Sequence, residues 1–162
     1  MKGVILMFRE MRRKKQVLTK EECVQILQEG TSGVLAVDGD DGYPYAVPLS
    51  YVLSGDKIYF HCAKSGHKLD ALSRNEKASF CVIGQDQVMP EKFTTHYKSV
   101  IVFGRVRILD DDAEKIKAME QLSVRYAPEI SAVRIQEEID SFWKPLCVLE
   151  LSIEHMSGKK HK

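Results

Sequence analysis

The sequence predicts a mainly β domain of the α+β class, in which six antiparallel strands form a small closed or partly closed barrel with flanking helices. The chain has 162 residues, which suits a single domain. Its apolar segments are mostly short, and turns rich in Gly, Asp and Ser separate several of them. Short turns between consecutive strands imply antiparallel pairing, so a doubly wound parallel sheet is excluded.

A short helix opens the predicted fold. Thr19 and Glu22 have the spacing of a capping box, in which each side chain satisfies a free amide of the first turn. Ile26 and Leu27 place apolar side chains on one face, and Gly30 supplies the C-terminal stop.

Three strands are predicted next, over residues 33–37, 45–53 and 57–61. Pro48 interrupts the second of them and has no amide hydrogen to donate. That strand is therefore expected to be bulged or to lie at an edge of the sheet, which leaves backbone groups free for another partner.

The second half of the fold is predicted to add three strands and two amphipathic helices. After a short helix that Ser65 caps, the strands cover residues 78–83, 99–109 and 146–153. Between the last two strands, two helices carry apolar stripes at helical spacing, formed by Ile116, Met119, Leu122 and Tyr126 in the first and by Ile135, Ile139, Phe142 and Trp143 in the second.

The formal net charge of +1 conceals an uneven distribution of charge. Residues 21–158 hold 14 basic and 22 acidic side chains, whereas both ends of the chain are basic. An acidic body argues against binding to nucleic acid, and a nucleic-acid-associated dimer that uses the basic ends is the least favoured reading. The ends are interpreted as solvated: a flexible N-terminal extension over 1–11 and a basic tail over 159–162, on either side of a domain over 12–158.

The length of the apolar runs and the pattern of the cysteines predict where in the cell the protein is located. No apolar run reaches the ~20 residues that a membrane helix needs, so no association with a membrane is expected. The four cysteines form no C-x-x-C pair and have no regular spacing. Free thiols in a reducing compartment are therefore expected, which makes the predicted location cytoplasmic.

Sequence motifs of the common catalytic and nucleotide sites are absent. The chain has no P-loop, no G-x-G-x-x-G at a helix start, no H-E-x-x-H and no G-x-S-x-G. A metal site built from His61, Cys62 and His67 is disfavoured, because adjacent residues on a strand point to opposite faces and no fourth ligand has a recognisable spacing. No metal site is predicted, and no catalytic residue is assigned.

The clearest chemical signal lies in residues 58–72. A strand there passes through a loop that contains Gly66 into the first turn of a helix, and Lys64, His67 and Lys68 lie in or beside the loop. Free amides at a helix start, together with these cationic groups, form an anion site for which phosphate is the natural ligand. The alternative is a surface helix with solvated lysines.

Four motifs in order carry a resemblance to a known family. They are Tyr45-Ala-Val-Pro-Leu-Ser-Tyr51, Phe60-His-Cys-Ala-Lys-Ser-Gly-His-Lys-Leu69, Thr94-Thr-His-Tyr-Lys-Ser-Val-Ile-Val-Phe-Gly104 and Lys144-Pro-Leu-Cys-Val148. Together they resemble the pyridoxamine 5′-phosphate oxidase-like, FMN-binding split-barrel superfamily, and most closely its nitroimidazole-resistance branch. The resemblance runs from Arg12 to Lys159 and implies a six-stranded antiparallel split β-barrel.

The resemblance also implies a homodimer with FMN at the subunit interface. One strand is expected beside the flavin ring and ribityl chain, a second segment under the cofactor, and a loop around its phosphate. The strand comprises Val47, Pro48, Leu49, Ser50 and Tyr51. The segment under the cofactor comprises His61, Cys62 and Ala63. The phosphate loop comprises Ser65, Gly66, His67 and Lys68, and Lys64 lies next to it. Ser99, which stands where the oxidase has Gln, and Trp143, a candidate for stacking near the ring, complete the expected cofactor site.

The chain departs from the oxidase proper in ways that affect the expected function. His67 stands where the oxidase has Arg, which implies less fixed charge on the phosphate. The C-terminal Arg-Leu-His-Asp-Arg signature of the oxidase is missing, so oxidation of vitamin B6 is not expected. The expected function is an FMN-dependent oxidoreductase that acts on a nitroaromatic or quinone-like electron acceptor, with NAD(P)H as a candidate donor. The alternative is a non-catalytic flavin- or haem-binding module.

Overall fold

A computed structural model describes residues 8–161 of the chain. Four helices and seven strands are formed by these residues, together with three short 3₁₀ turns. The helices are α1 (Lys20–Glu29), α2 (His67–Arg74), α3 (Asp112–Tyr126) and α4 (Ala132–Phe142); the strands are β1 (Ser32–Asp38), β2 (Pro44–Ser50), β3 (Val52–Ser54), β4 (Lys57–Ala63), β5 (Lys77–Met89), β6 (Thr94–Ile108) and β7 (Leu146–His161).

All seven strands belong to one antiparallel sheet in the order β2-β1-β5-β6-β7-β4-β3. The sheet curls so that β2 and β4, which do not pair, approach each other. This arrangement confirms the predicted mainly β class with flanking helices. It also confirms the consequence of Pro48, because among residues 8–161 the strand β2 pairs with β1 alone and is therefore an edge strand.

The predicted count of six strands is wrong, because the strand expected over 45–53 is divided at Tyr51 into β2 and β3. The backbone amide of Tyr51 donates a hydrogen bond to the hydroxyl of Tyr126, and its carbonyl oxygen lies 2.9 Å from the same hydroxyl. The backbone groups of Tyr51 are thus occupied by a side chain from α3 instead of by a neighbouring strand. No local sequence signal reports this long-range partner.

The expected basic tail over 159–162 is also wrong in its described part. Lys159 pairs with Ser99, Lys160 with Lys98 and His161 with Tyr97 at the end of β7. Strand pairing uses backbone groups, so charged side chains are compatible with it wherever they reach a partner or water. Lys162 lies outside the described residues.

The N-terminal extension is described only from Phe8 onwards, and residues 1–7 lie outside the described part. The ring of Phe8 stacks on that of His155, with ring centroids 4.5 Å apart and an interplanar angle of 8°. Val17 forms an isolated bridge to Lys159. The segment before α1 therefore packs along the second half of β7.

Both predicted ends of the first helix agree with the structure. Thr19 and Glu22 form the reciprocal capping box at the start of α1, and Gly30 is its C-cap. Within residues 8–161, no helix has the length and apolar character needed to cross a membrane.

The sheet encloses the main core, and α3 covers a second one. In the main core, alternate residues of each strand point inward, among them Leu35, Phe60, Phe80, Val100 and Leu149. The second core lies on the opposite face of β4 and β7 and contains Leu109, Ala118, Leu146 and Val148. Since both faces of β7 are covered over Leu146–Leu151, this strand reads as a nearly continuous apolar run.

Candidate functional site

The junction between β4 and α2 has the geometry of an anion site. Gly66 is the N-cap of α2 with φ 130° and ψ 167°, a backbone conformation that favours glycine. The predicted cap by Ser65 is wrong, because no side chain caps this helix. The carbonyl oxygen of Gly66 accepts hydrogen bonds from the amides of Leu69 and Asp70. The amides before them lie at an uncapped helix start, where the helix dipole favours negative charge.

Two lysines supply positive charge beside this helix start. Lys64 is exposed in the loop, and Lys68 is half-buried in the first turn of α2. Neither ammonium group pairs with a carboxylate within residues 8–161, in contrast to Lys57, Arg74 and Arg107. Cations at a helix start oppose the helix dipole, so this arrangement is more useful to an anionic ligand than to the helix itself.

His67 is held on the side of the helix start that faces the β1–β2 turn. Its ring stacks on Tyr45, with centroids 4.0 Å apart. Its Nε2 is buried, lies 3.5 Å from a carboxylate oxygen of Asp40 and makes no hydrogen bond within the described residues. Asp40 also accepts a 2.7 Å hydrogen bond from Arg74. This side of the ring therefore anchors α2 to the turn, and Nε2 does not point to the open helix start.

The three predicted residues at the end of β4 face two different directions. Cys62 packs against the main core with Phe60, whereas His61 and Ala63 are exposed on the opposite face. His61 and Ala63 border a cleft of about 630 Å³ between this strand end and the helices α3 and α4. The helix start at Gly66 and this cleft are therefore joined by only two residues of chain.

Side chains of α3 and α4 provide most of the cleft wall, and no sequence motif indicated that these residues belong to a site. The apolar side of the wall includes Met119, Ile135, Ile139 and Phe142, and the polar side chains Ser123, Arg134 and Glu138 also line it. Phe142 was expected in a buried stripe, but 57% of its surface is exposed.

The residues over 47–51, which were expected beside a cofactor, also lie on both faces of the sheet. Val47 and Leu49 pack against the main core, while Pro48 and Ser50 point outward. Tyr51 is buried at 1% exposure, and its hydroxyl donates a 2.7 Å hydrogen bond to the carbonyl oxygen of Leu27. Burial raises the pKa of Tyr51. Its side chain serves the core and is closed to a ligand.

Ser99 lies on the outer face of the sheet and does not line the cleft. It pairs with Ile83 on one side and Lys159 on the other. One row along the same face runs from Pro48 through Val34, Cys81 and Ile101 to Ser157. Ile83 is 66% exposed, and Val34 and Ile101 are each 39% exposed, so the outer face carries a group of exposed apolar side chains.

Trp143 lies in the second core and does not line the cleft. The ammonium group of Lys115 lies 4.2 Å from the centre of its ring. The same ammonium group lies 3.4 Å from a carboxylate oxygen of Asp112, so the buried Lys115 has both an aromatic face and an acidic partner beside it. Lys115 lies over the ring of Trp143 in this position, and the stacking of Trp143 on a cofactor stays a prediction.

The curled antiparallel sheet with its flanking helices defines a split-barrel domain, in which an uncapped helix start and a helix-walled cleft lie side by side at the end of β4. The chain belongs to the pyridoxamine 5′-phosphate oxidase family, whose sequence model matches residues 19–160. This finding confirms the family that the four motifs indicated.

Similar proteins come from several bacteria. An uncharacterised protein of Rhizobium meliloti (strain 1021) is 33% identical over 94 residues, which are 58% of this chain and 57% of that protein. The match thus spans little more than half of the relative's length. The FAD-binding protein of Mesorhizobium loti has a TM-score of 0.67 and 26% identity, over 91% of this chain and 98% of that one.

Two further crystal structures share the fold at lower identity. A candidate 5-nitroimidazole antibiotic resistance protein of Bacteroides thetaiotaomicron has a TM-score of 0.74 and 19% identity, over 89% of this chain and 86% of that one. The FAD and haem binding protein of Mycobacterium smegmatis has a TM-score of 0.71 and 22% identity, over 91% and 74%. At these identities the likeness establishes the fold alone.

Proposed function

We propose that this protein is an FMN-binding flavoprotein that acts as an oxidoreductase on nitroaromatic or quinone-like small molecules. The observation that carries the proposal is the uncapped start of α2 at Gly66, with Lys64 and Lys68 beside it and the cleft next to it. Backbone amides and two cations suit a phosphate, and an apolar cleft of about 630 Å³ suits a planar ring system.

In this proposal the protein binds and orients the cofactor without a nucleophile or a metal ligand of its own. The flavin supplies the electron transfer when it is bound. Lys68 and the first amides of α2 hold the phosphate, and His67 keeps α2 in place through Tyr45 and Asp40. His61 and the apolar wall of the cleft exclude water and leave room for the acceptor, with NAD(P)H as the donor.

The cofactor site is proposed to be completed by a second copy of this chain. The outer face of the sheet exposes Val34, Ile83 and Ile101, and a second copy packed on this face would remove apolar surface from water. Pro48 and Ser99 lie on the same face. Their proposed contact with FMN is therefore made at the interface and not in the cleft of a single protomer.

The four cysteines of the chain are free thiols, which supports a cytoplasmic location for the proposed enzyme. FMN is proposed in preference to FAD because the helix start offers one compact anion site. The 26% identical relative that binds FAD makes FAD the main competitor.

A second candidate function is a non-catalytic flavin- or haem-binding module. The observation in its favour is His61, an exposed imidazole at the border of an apolar cleft, since histidine is a common axial ligand of haem. The Mycobacterium smegmatis protein of the same fold binds both FAD and haem.

The test uses the purified full chain. Its absorbance spectrum, with mass spectrometry of any released cofactor, separates FMN, FAD and haem. We expect FMN, bleaching of the flavin by NADH or NADPH, and recovery on addition of a nitroaromatic compound or a quinone. A protein that binds flavin but shows no bleaching supports the non-catalytic module. A protein that lacks flavin and takes up none when FMN is added would contradict flavin binding altogether.

A further inference from the structure

Two cysteines lie directly opposite each other on the paired strands β4 and β7. Cys62, the penultimate residue of β4, is the register partner of Cys147, the second residue of β7. Residues that face each other in an antiparallel pair have their side chains on the same side of the sheet. Both side chains accordingly contact the main core.

The hydrogen-bond pattern of the two strands gives the expected spacing of this pair. The amide of Ile153 donates a hydrogen bond to the carbonyl oxygen of Asp56. This pair lies one register position before the pair of Lys57 and Ser152. Bonded positions recur at every second residue of an antiparallel ladder, which makes the Cys62–Cys147 position a bonded one. Such positions have Cα atoms ~5.5 Å apart, inside the ~4.4–6.8 Å range of protein disulfides. Closing the bond must draw the Cβ atoms together from about 5.5 Å to the ~3.5–4.5 Å of a disulfide.

Burial, followed by the charge of the neighbouring Cys147, raises the pKa of Cys62 to about 11, while Lys68 acts in the opposite direction. The other two cysteines have different neighbours: Cys23 lies on α1, and the register partners of Cys81 are Val34 and Ile101. The paired arrangement belongs to Cys62 and Cys147.

We propose that Cys62 and Cys147 form a two-electron redox pair, which a low-molecular-weight disulfide oxidises to a cross-strand disulfide. Cys62 is the attacking thiol because it is half-buried near the end of β4, whereas Cys147 is buried. The Cys62 sulfur attacks the oxidant, breaks its sulfur–sulfur bond and releases one thiol. Cys147 then displaces the second thiol from Cys62. Two S–H bonds are lost, one protein S–S bond forms, and the oxidant takes up two electrons and two protons.

The environment of Cys62 and Cys147 affects both the rate at which the pair is oxidised and the equilibrium between the dithiol and the disulfide. A high pKa leaves little thiolate at neutral pH, so the attack is slow. Because the reduced pair contains no stabilised thiolate, its oxidation loses little stabilisation of the reduced form. The equilibrium therefore favours the disulfide. The bond would tie the end of β4 to the start of β7 beside the loop that leads to Gly66.

Mass spectrometry of the intact protein tests the pair independently of any flavin. The full chain with Cys23→Ala and Cys81→Ala is incubated in excess 4,4′-dithiodipyridine under native conditions until thiol release stops. We expect a mass loss of about 2 Da, for two hydrogens, a digest peptide that links Cys62 to Cys147, and full reversal by dithiothreitol. The wild-type protein should give the same linked peptide.

The variant Cys147→Ser is the matched control, because it keeps the attacking thiol and removes the resolving one. It should accumulate a stable thiopyridine adduct on Cys62 and show no loss of mass. A wild-type protein that ends with adducts on Cys62 and Cys147, or with both thiols still open to alkylation, overturns the proposal.

Discussion

The hydroxyl of Tyr126 sits at the break between β2 and β3 and accepts a 2.8 Å hydrogen bond from the backbone amide of Tyr51. The same hydroxyl lies close to two carbonyl oxygens, those of Tyr51 and Thr31, and has one proton to share between them. Tyr51 in turn donates its own hydroxyl proton to Leu27 of α1. These two tyrosines therefore connect α3, the sheet and α1, and they set the position of the helix that forms one wall of the cleft.

Removal of this hydroxyl should cost measurable stability. Tyr126→Phe leaves the Tyr51 amide without its acceptor, so we expect the free energy of unfolding to fall by about 1–2 kcal/mol. Chemical denaturation of the variant and the wild type measures the difference. Tyr43→Phe is the control, since Tyr43 is 76% exposed and should change stability by no more than ~0.5 kcal/mol. Equal effects of the two substitutions would contradict the role given to Tyr126.

Glu150 is a buried charge whose stability contribution can be isolated. It is 3% exposed and accepts hydrogen bonds from Arg107 and Lys57, each at 2.9 Å. Glu150→Gln keeps the shape but leaves two cations without their charged acceptor, and we expect a loss of about 2–3 kcal/mol. Glu154→Gln, at a more exposed pair with Arg105, should cost less than ~1 kcal/mol. Thermal and urea unfolding of both variants makes the comparison.

The same carboxylate should make stability depend on pH on the acid side. Burial alone would raise the pKa of Glu150, but hydrogen bonds from Arg107 and Lys57 outweigh it and hold the pKa below the ordinary value of 4.5. The folded state then binds fewer protons than the unfolded state. The stabilisation is present above about pH 4.5 and is lost as the pH falls through the lowered pKa. Unfolding curves between pH 7 and pH 3 should show a smaller acid loss for Glu150→Gln than for the wild type; parallel losses would contradict this assignment.

Lys68 is the side chain on which phosphate binding is expected to depend most. Lys68→Ala should weaken FMN retention by ~1–3 kcal/mol, because a charge-assisted hydrogen bond to the phosphate is lost. Fluorescence titration of the flavin-free protein with FMN measures the change. Lys77→Ala removes an exposed lysine at the start of β5 and should leave the affinity unchanged. An unchanged affinity for Lys68→Ala would place the phosphate elsewhere.

Alanine substitutions at two residues of α4 should distinguish a side chain that fills the core from one that only lines the cleft. Ile139 is 4% exposed and Phe142 is 57% exposed, although both border the cleft. Ile139→Ala should lower the free energy of unfolding by about 2–4 kcal/mol through cavity formation. Phe142→Ala should cost less than ~1 kcal/mol, because most of its apolar surface is already in water. Chemical denaturation decides between the two, and a larger loss for Phe142→Ala would show that it belongs to the core.

Features with local causes could be predicted from the sequence. The capping box of Thr19 and Glu22 needs only residues three positions apart. The edge position of β2 follows from the missing amide hydrogen of Pro48. The loop at Gly66 with its lysines was found for the same reason, since a strand, a glycine and a helix start adjoin in the chain.

The sequence by itself therefore determined the mainly β class, the family and the position of the loop and helix start at Gly66, because each depends on spacing within a short segment or on motif order. Only the tertiary structure decided that Tyr51 divides a strand, that Lys159 to His161 extend β7, and that Phe142 borders a cleft instead of filling a core. It also placed Cys62 opposite Cys147. In each of these cases the deciding partner lies far away in the chain, and local periodicity reports which residues are apolar but not what will cover them.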